Sequence, residues 1–230
     1  FRCIASKENI VYLGGRYKEE KFHSHELFSI LNLKKPELPS IRNKEIPIDF
    51  KYGKSIDDIL IVNNKLTLVD NIVYPKYLFE YDITRPYLPL YTKTTELENN
   101  GTYEHIIKGD MNEDWLILFS KTFGMYGSSS YINISGKKNG RLDVHRTTEY
   151  YKATFEGNLG DDKFEFTDIC LVDNNLFILR DDGVYSLNLN GTISSSNLKR
   201  INSTTENVDR LIKTPCNRVV IVNHSKFELL

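Results

Sequence analysis

The sequence predicts an all-β protein built as a single five-bladed β-propeller. Three observations carry that expectation: one hairpin phrase written twice, weaker copies of it elsewhere, and apolar second strands that run on without alternation. The phrase "DDILIVNNKLTLVD" at 57–70 returns as "TDICLVDNNLFILRD" at 167–181. A constant offset of 110 residues sets Asp58 on Asp168, Ile59 on Ile169, Val62 on Val172, Asn64 on Asn174, Leu66 on Leu176 and Leu68 on Ile178. Each copy is a short apolar strand, an Asn/Asp turn and a second apolar strand, which is the chemistry of a β-hairpin.

Taken in chain order, the units are "RCIASKENIVYLGG" (2–15), the phrase at 57–70, "HIIKGDMNEDWLILFS" (105–120), the phrase at 167–181 and "RLIKTPCNRVVIVN" (210–223). Their second strands, anchored on Ile10, Leu66, Trp115, Leu176 and Val219, are spaced 56, 49, 61 and 43 residues apart. A propeller blade with loop insertions has that period. A third strand follows in each unit: "LFSILNL", "YLFEYDI", "SYINIS", "GVYSLNL" and "KFELL". Near-continuous apolar second strands imply burial on both faces, as when sheets stack radially against neighbours. The expected blades are about 1–50, 51–98, 99–155, 156–204 and 205–230, with a fragment of a larger propeller as the alternative. Since the sequence starts at Phe1 and its last unit stops at Leu230 after a third strand, ring closure is expected to need an upstream strand, a three-stranded final blade or a partner chain.

The first two units share a further phrase, "LNLKKPELP" (31–39) and "YDITRPYLP" (81–89), matching Pro36 with Pro86 and Pro39 with Pro89. Proline cannot donate to a ladder, so P-x-x-P fits a turn into an outermost edge strand. With its Asp-led strand, hairpin and proline turn, "DDILIVNNKLTLVD…LFEYDITRPYLPL" resembles the bacterial and archaeal β-propeller repeats called LVIVD repeats. The match covers units one and two, is partial in unit four and poor in units three and five. The resemblance implies a propeller, often in cell-surface proteins, and brings no established activity with it.

Composition sets the outer bounds. Thirty basic and thirty-one acidic residues leave a formal net charge of -1, so no field draws in phosphate backbones, and nucleic acid is not an expected partner. No apolar run reaches the ~18 residues of a membrane-spanning helix. Cys3, Cys170 and Cys216 are odd in number and widely spaced, which reads as free thiols and leans towards a reducing, cytoplasmic compartment, whereas the resemblance leans towards the surface. The sequons at Asn100, Asn133, Asn190, Asn202 and Asn223 occur in a chain rich in Asn, Ser and Thr, where chance supplies several.

The expected function is a non-enzymatic binding propeller that presents a loop face to a protein or carbohydrate partner, with no cofactor. Its recognition residues are Arg16, Tyr17, Phe22, Tyr74, Lys76, Phe123 and Tyr126, on the long loops "GGRYKEEKFHSHE", "DNIVYPKY" and "SKTFGMYGSSSY" that join second to third strands in units one to three. Aromatic and Arg/Lys mixtures of this kind favour recognition surfaces, and units four and five have only "RDDG" and "NHS" in the same place. The alternative is a hydrolase of glycosidase type with Asp58, Glu104 (or His105), Asp168 and Asp209 at the mouth of a central channel, one carboxyl protonating the leaving oxygen and another activating water. Against it stands a local role for each Asp as acceptor of backbone N–H groups, and unit one has Arg2 at the equivalent place. His23 and His25, at period two with Glu26 beside them, would be the start of a metal site but lack a further donor. Trp115 is expected in the core.

Overall fold

Turn chemistry starts each hairpin. Glu8, Asn63, Asp173 and Asn217 all have positive φ, between 50° and 55°, the left-handed conformation that tight hairpin turns require. Asn and Asp adopt it at low cost, while Glu8 is an uncommon occupant. A computed structural model of the chain describes residues 2–17, 19–20, 23–24, 28–35, 37, 41–42, 54–70, 76–97, 104–124, 127–138, 141–142, 152–158, 165–191, 193, 195–202, 208–223 and 227–230. Among these residues there is no α-helix, only one 3-10 turn at Ser195–Asn197.

The first part of the chain contains β1 (Cys3–Lys7), β2 (Ile10–Gly14), β3 (Arg16–Tyr17), β4 (Glu19–Glu20), β5 (His23–Ser24), β6 (Phe28–Asn32) and β7 (Ile41–Arg42). Sheet 1 has the order β1-β2-β6-β7, and β4 pairs with β5 alone. Next come β8 (Lys54–Val62), β9 (Lys65–Asp70), β10 (Lys76–Asp82) and β11 (Leu90–Leu97), which form sheet 2 in the order β11-β10-β9-β8-β3. Sheet 3 is β12 (Glu104–Met111), β13 (Trp115–Gly124), β14 (Gly127–Lys138) and β15 (Arg141–Leu142), with β16 (Lys152–Asn158) also paired to β14. Sheet 4 runs β17 (Phe166–Val172), β18 (Asn175–Arg180), β19 (Gly183–Asn188), β20 (Lys199–Asn202), and sheet 5 runs β21 (Val208–Lys213), β22 (Val219–Asn223), β23 (Phe227–Leu229). The chain divides into two compact units, 1–109 and 110–230, the division falling inside β12.

Within each unit the sheets pack face to face through branched aliphatics and rings. In the first, Ile10, Tyr12, Phe28 and Ile30 of sheet 1 meet Ile56, Ile59, Leu66, Leu68, Phe79 and Tyr81 of sheet 2. In the second, Trp115, Ile117, Phe119, Ile132 and Ile134 of sheet 3 meet Ile169, Leu171, Leu176 and Ile178 of sheet 4. The other face of sheet 4, with Cys170, Val172, Leu179 and Val184, meets Leu211, Val219 and Ile221 of sheet 5. A second strand such as β9 or β18 therefore buries residues of both parities, which is why its sequence does not alternate.

Two expectations about loops are corrected. The Gly- and Ser-rich stretch "SKTFGMYGSSSY" is ladder for most of its length, since β13 and β14 stay paired from Lys121↔Ser130 out to Gly124↔Gly127. Part of the loop after β2 is also strand: Arg16 and Tyr17 pair with Ser55 and Lys54, so β3 extends sheet 2. The proline turn lies where its chemistry puts it, between β10 and the edge strand β11, and the Pro86 carbonyl accepts a hydrogen bond from the buried Tyr12 hydroxyl at 2.7 Å.

Candidate functional site

Aspartates on the first strand of the repeated hairpins form one recurring device. Asp58 accepts from the Ile59 amide through Oδ1 at 2.9 Å and from the Gly109 amide of β12 through Oδ2 at 2.6 Å. Asp168 does the same with Ile169 at 2.8 Å and Leu211 of β21 at 2.7 Å. A third copy, absent from the sequence expectation, is Asp110, which takes the Met111 amide at 2.9 Å and the Leu171 amide of β17 at 2.7 Å. Each carboxylate thus staples its own strand to the first strand of the following sheet, with both oxygens engaged by main-chain donors. Burial pushes the Asp58 carboxyl above the usual carboxylate range, against the pull of the Gly109 and Ile59 amides and of Lys108. Gly109 lets the strands approach closely, since a Cβ there would lie 3.0 Å from the Leu60 side chain, which would have to give by a few tenths of an ångström.

Sheet 1 has Cys3 at this register position, opposite Gly14 as Asp58 is opposite Val69. Its thiol donates to the Ile56 carbonyl at 3.3 Å and is pushed up to about 12 by burial first and then by Asp58 and Asp57. Beside it, Arg2 pairs with Asp57 and donates to Ser55 Oγ at 3.2 Å, and Ser55 Oγ donates to Asp57 at 2.9 Å. Asp57 sits at a bulge between Ile56 and Asp58, and its Oδ2 is buried with no hydrogen-bond partner among the described residues.

A second polar cluster lies at the β18–β19 turn, in the short "RDDG" connection. Arg180 pairs with Asp182 at 2.9 Å and lies 4.3 Å above the Tyr185 ring, the Tyr185 hydroxyl donates to Asp182 at 2.6 Å, and Arg200 donates to the Asp182 carbonyl. Burial and then the bond to Asp182 raise the Tyr185 hydroxyl above its ordinary value. Gly183, at φ 154°, opens the turn, since a Cβ there would lie 2.4 Å from the Asn202 carbonyl oxygen.

The expected site residues fall into three groups. Asp58 is a half-buried staple and Asp168 a buried one, Asp209 is exposed on β21, and Glu104 and exposed His105 open β12. Arg16, Tyr17 and Phe123 have strand backbone, in β3 and β13. Lys76 departs from the expectation: it is the first residue of β10, opposite Leu97, and is only 4% exposed, so it cannot serve as a loop contact. Phe22, Tyr74, Tyr126 and His25 lie outside the described residues, and His23 has its backbone in β5. Trp115 is core, its indole N–H donating to Asn174 Oδ1 at 3.1 Å.

No protein-family model matches the chain, and no curated protein matches it. Two solved structures are similar in fold, both of the extracellular domain of BT4673 from B. thetaiotaomicron. One describes that protein as a one-component system (TM-score 0.51, 13% identity) and the other as a hybrid two-component system (TM-score 0.51, 14% identity). Each match covers 99% of this chain and 26% of the other, so this chain spans about a quarter of their length.

Proposed function

We propose that the chain is a non-enzymatic binding module of β-propeller type, its sheets acting as blades at about 1–50, 51–98, 99–155, 156–204 and 205–230 and its second-strand exits forming the recognition edge. The observation that carries this reading is the state of Asp58 and Asp168. A general acid or nucleophile needs an oxygen free to meet substrate, and both oxygens of each carboxylate are engaged by backbone amides. The propeller part is supported by three inter-sheet cores of one kind and by the LVIVD-like phrase that writes the same hairpin. The likeness in fold to an extracellular domain of a one-component or hybrid two-component system agrees with a role in binding a protein or carbohydrate.

Arg16, Tyr17, Phe22, Tyr74, Phe123 and Tyr126 are the proposed contacts, and the Arg180, Tyr185 and Arg200 cluster extends the same Arg-and-aromatic chemistry to sheet 4. The test is a glycan and peptide array probed with the chain and with the quadruple variant Arg16→Ala, Tyr17→Ala, Tyr74→Ala, Tyr126→Ala. A hit that weakens about tenfold in the variant, with the fold intact, is expected when an anchor of ~2 kcal/mol is lost. Hydrolysis of p-nitrophenyl glycosides by the chain, abolished in a folded Asp168→Asn variant, would overturn the reading.

A further inference from the structure

The turn between β18 and β19 leaves one donor group and one acceptor group unspent. Arg180 and Asp182 use each other: Arg180 Nε lies 2.9 Å from Asp182 Oδ1, its Nη2 donates to Oδ2 at 3.2 Å, and the Tyr185 hydroxyl donates to the same Oδ2 at 2.6 Å. Lys121 is paired likewise with Glu165, whose carbonyl accepts the Asp181 amide at 3.2 Å. Arg200 is different. It stands exposed opposite Tyr185 on the outer strand β20, and its guanidinium is held by the Asp182 carbonyl, a neutral group that leaves its charge and its other N–H donors uncommitted. Among the described residues no acid pairs with Arg200, and no cation or donor meets the carboxylate of exposed Asp181 on the same turn.

The backbone makes room for this placement. Gly183 has no side chain where Arg200 crosses the turn, and a Cβ there would lie 2.9 Å from Arg200 Nε. Beside the guanidinium, Tyr185 and Leu198, the latter two residues before Arg200, are partly buried against the core between sheets 3 and 4. The charges select among ligands. With Asp182 and Glu165 neutralised by their own partners, Arg200 and Asp181 together carry no net charge, so an oxyanion drawn to one is repelled by the other, and so is a cation. A pair of hydroxyls both accepts and donates, and meets both groups at once.

We propose that Arg200 and Asp181 bind vicinal hydroxyls of a neutral hexose, Arg200 donating to one and Asp181 accepting from the other, with the apolar edge of the sugar against Leu198 and Tyr185. This inference rests on the reading of the chain as a binding module and narrows its partner at sheet 4 to a carbohydrate.

The test is an NMR titration of the chain with methyl glucoside, galactoside and mannoside, read at the Asp182 and Gly183 amides and at the Arg200 Nε–H. Acetate, ammonium and glycine probe ionic and zwitterionic binding at the same signals. At least one glycoside is expected to shift them saturably and more than any of the three charged probes. Arg200→Met, which keeps the stem and removes the donors, and Asp181→Ala should each weaken that binding about tenfold or more. Both positions are exposed, and an unchanged urea midpoint verifies the fold of each variant. No shift with any of the glycosides overturns the inference, as do stronger responses to acetate, ammonium or glycine, or glycoside binding that survives in either variant. An array ligand weakened by the quadruple variant that leaves the sheet 4 signals still, while the glycosides do nothing there, sinks this inference and leaves the binding module standing. An array without hits, together with silent glycosides, sinks both.

Discussion

The hairpins β8–β9 and β17–β18 are the two copies of the repeated phrase, and they agree in having a bulge and a staple and differ in side chain at three places around them. Both skip one residue at a bulge, Asp57 in one and Thr167 in the other, and both follow it with a stapling aspartate. They part at the bulge residue, at the middle of the second strand, and at the exit. Asp57 holds Arg2; Thr67 occupies the register place of Phe177; and Asp70 leads out of β9, where Arg180 begins the cluster around Asp182. Repetition therefore follows the bulge and the staple, and divergence falls on what each hairpin packs against or pairs with nearby.

The strongest way to break this comparison is to remove a staple. Asp168→Ala leaves the Ile169 and Leu211 amides without their acceptor, and each unsatisfied buried donor costs ~1 to 3 kcal/mol, so urea unfolding should show a loss of about 3 kcal/mol. Asp58→Ala should cost a similar amount if the two copies are equivalent, and a loss near zero in either would sink the staple as a shared device. The next effect has the opposite sign. The Thr67 hydroxyl is buried without a hydrogen-bond partner among the described residues. Thr67→Val should therefore stabilise by about 1 kcal/mol, read as a higher urea midpoint.

Arg2→Ala probes the bulge and should matter less, because Arg2 is 49% exposed and a solvent-screened pair contributes only ~0.2 to 1 kcal/mol. The same chevron and equilibrium measurements that resolve the staple should barely register it. The smallest effect is one of pH. Asp58, raised by burial, binds its proton more tightly folded than unfolded, so its contribution is favourable below the unfolded value and is lost as pH rises through the folded one. Asp82 is lowered by the Thr84 hydroxyl and amide, so its contribution is present above the unfolded value and fades as pH falls through the folded one. Carboxyl-carbon NMR titration should place the two midpoints on opposite sides of the ordinary Asp value, and midpoints in the reverse order would refute the burial argument.

Much of the fold could be read from the sequence because its signals are local. An Asn-Asn turn between apolar runs declares a hairpin, and P-x-x-P declares the turn into β11. The long β13–β14 ladder was hidden because Gly124, Gly127 and Ser128–Ser130 have weak strand propensity, and the ladder is held by pairing that no local pattern encodes. The stapling role of Asp110 was hidden for another reason. It sits two register places nearer its hairpin turn than Asp58 and Asp168 sit to theirs, so an alignment on the repeated phrase passes over it. The Arg180, Asp182 and Tyr185 cluster was missed because a four-residue connection reads as too short to carry chemistry, although Arg180 and Tyr185 come from the strands on either side of the turn residue Asp182.

The three staples close loops of 51, 61 and 43 residues. Closure entropy grows only with the logarithm of length, so the difference between the longest and shortest of these is ~0.3 kcal/mol, well below the value of one charge-assisted hydrogen bond. Each hairpin can form on its own in microseconds and then wait for its neighbour, because the joining segment sets the waiting time and hardly the final stability. A lineage carrying this repeat is consequently at liberty to insert whole structural elements between one sheet and the next, and the inserted length would appear in refolding rates long before it appeared in the melting temperature.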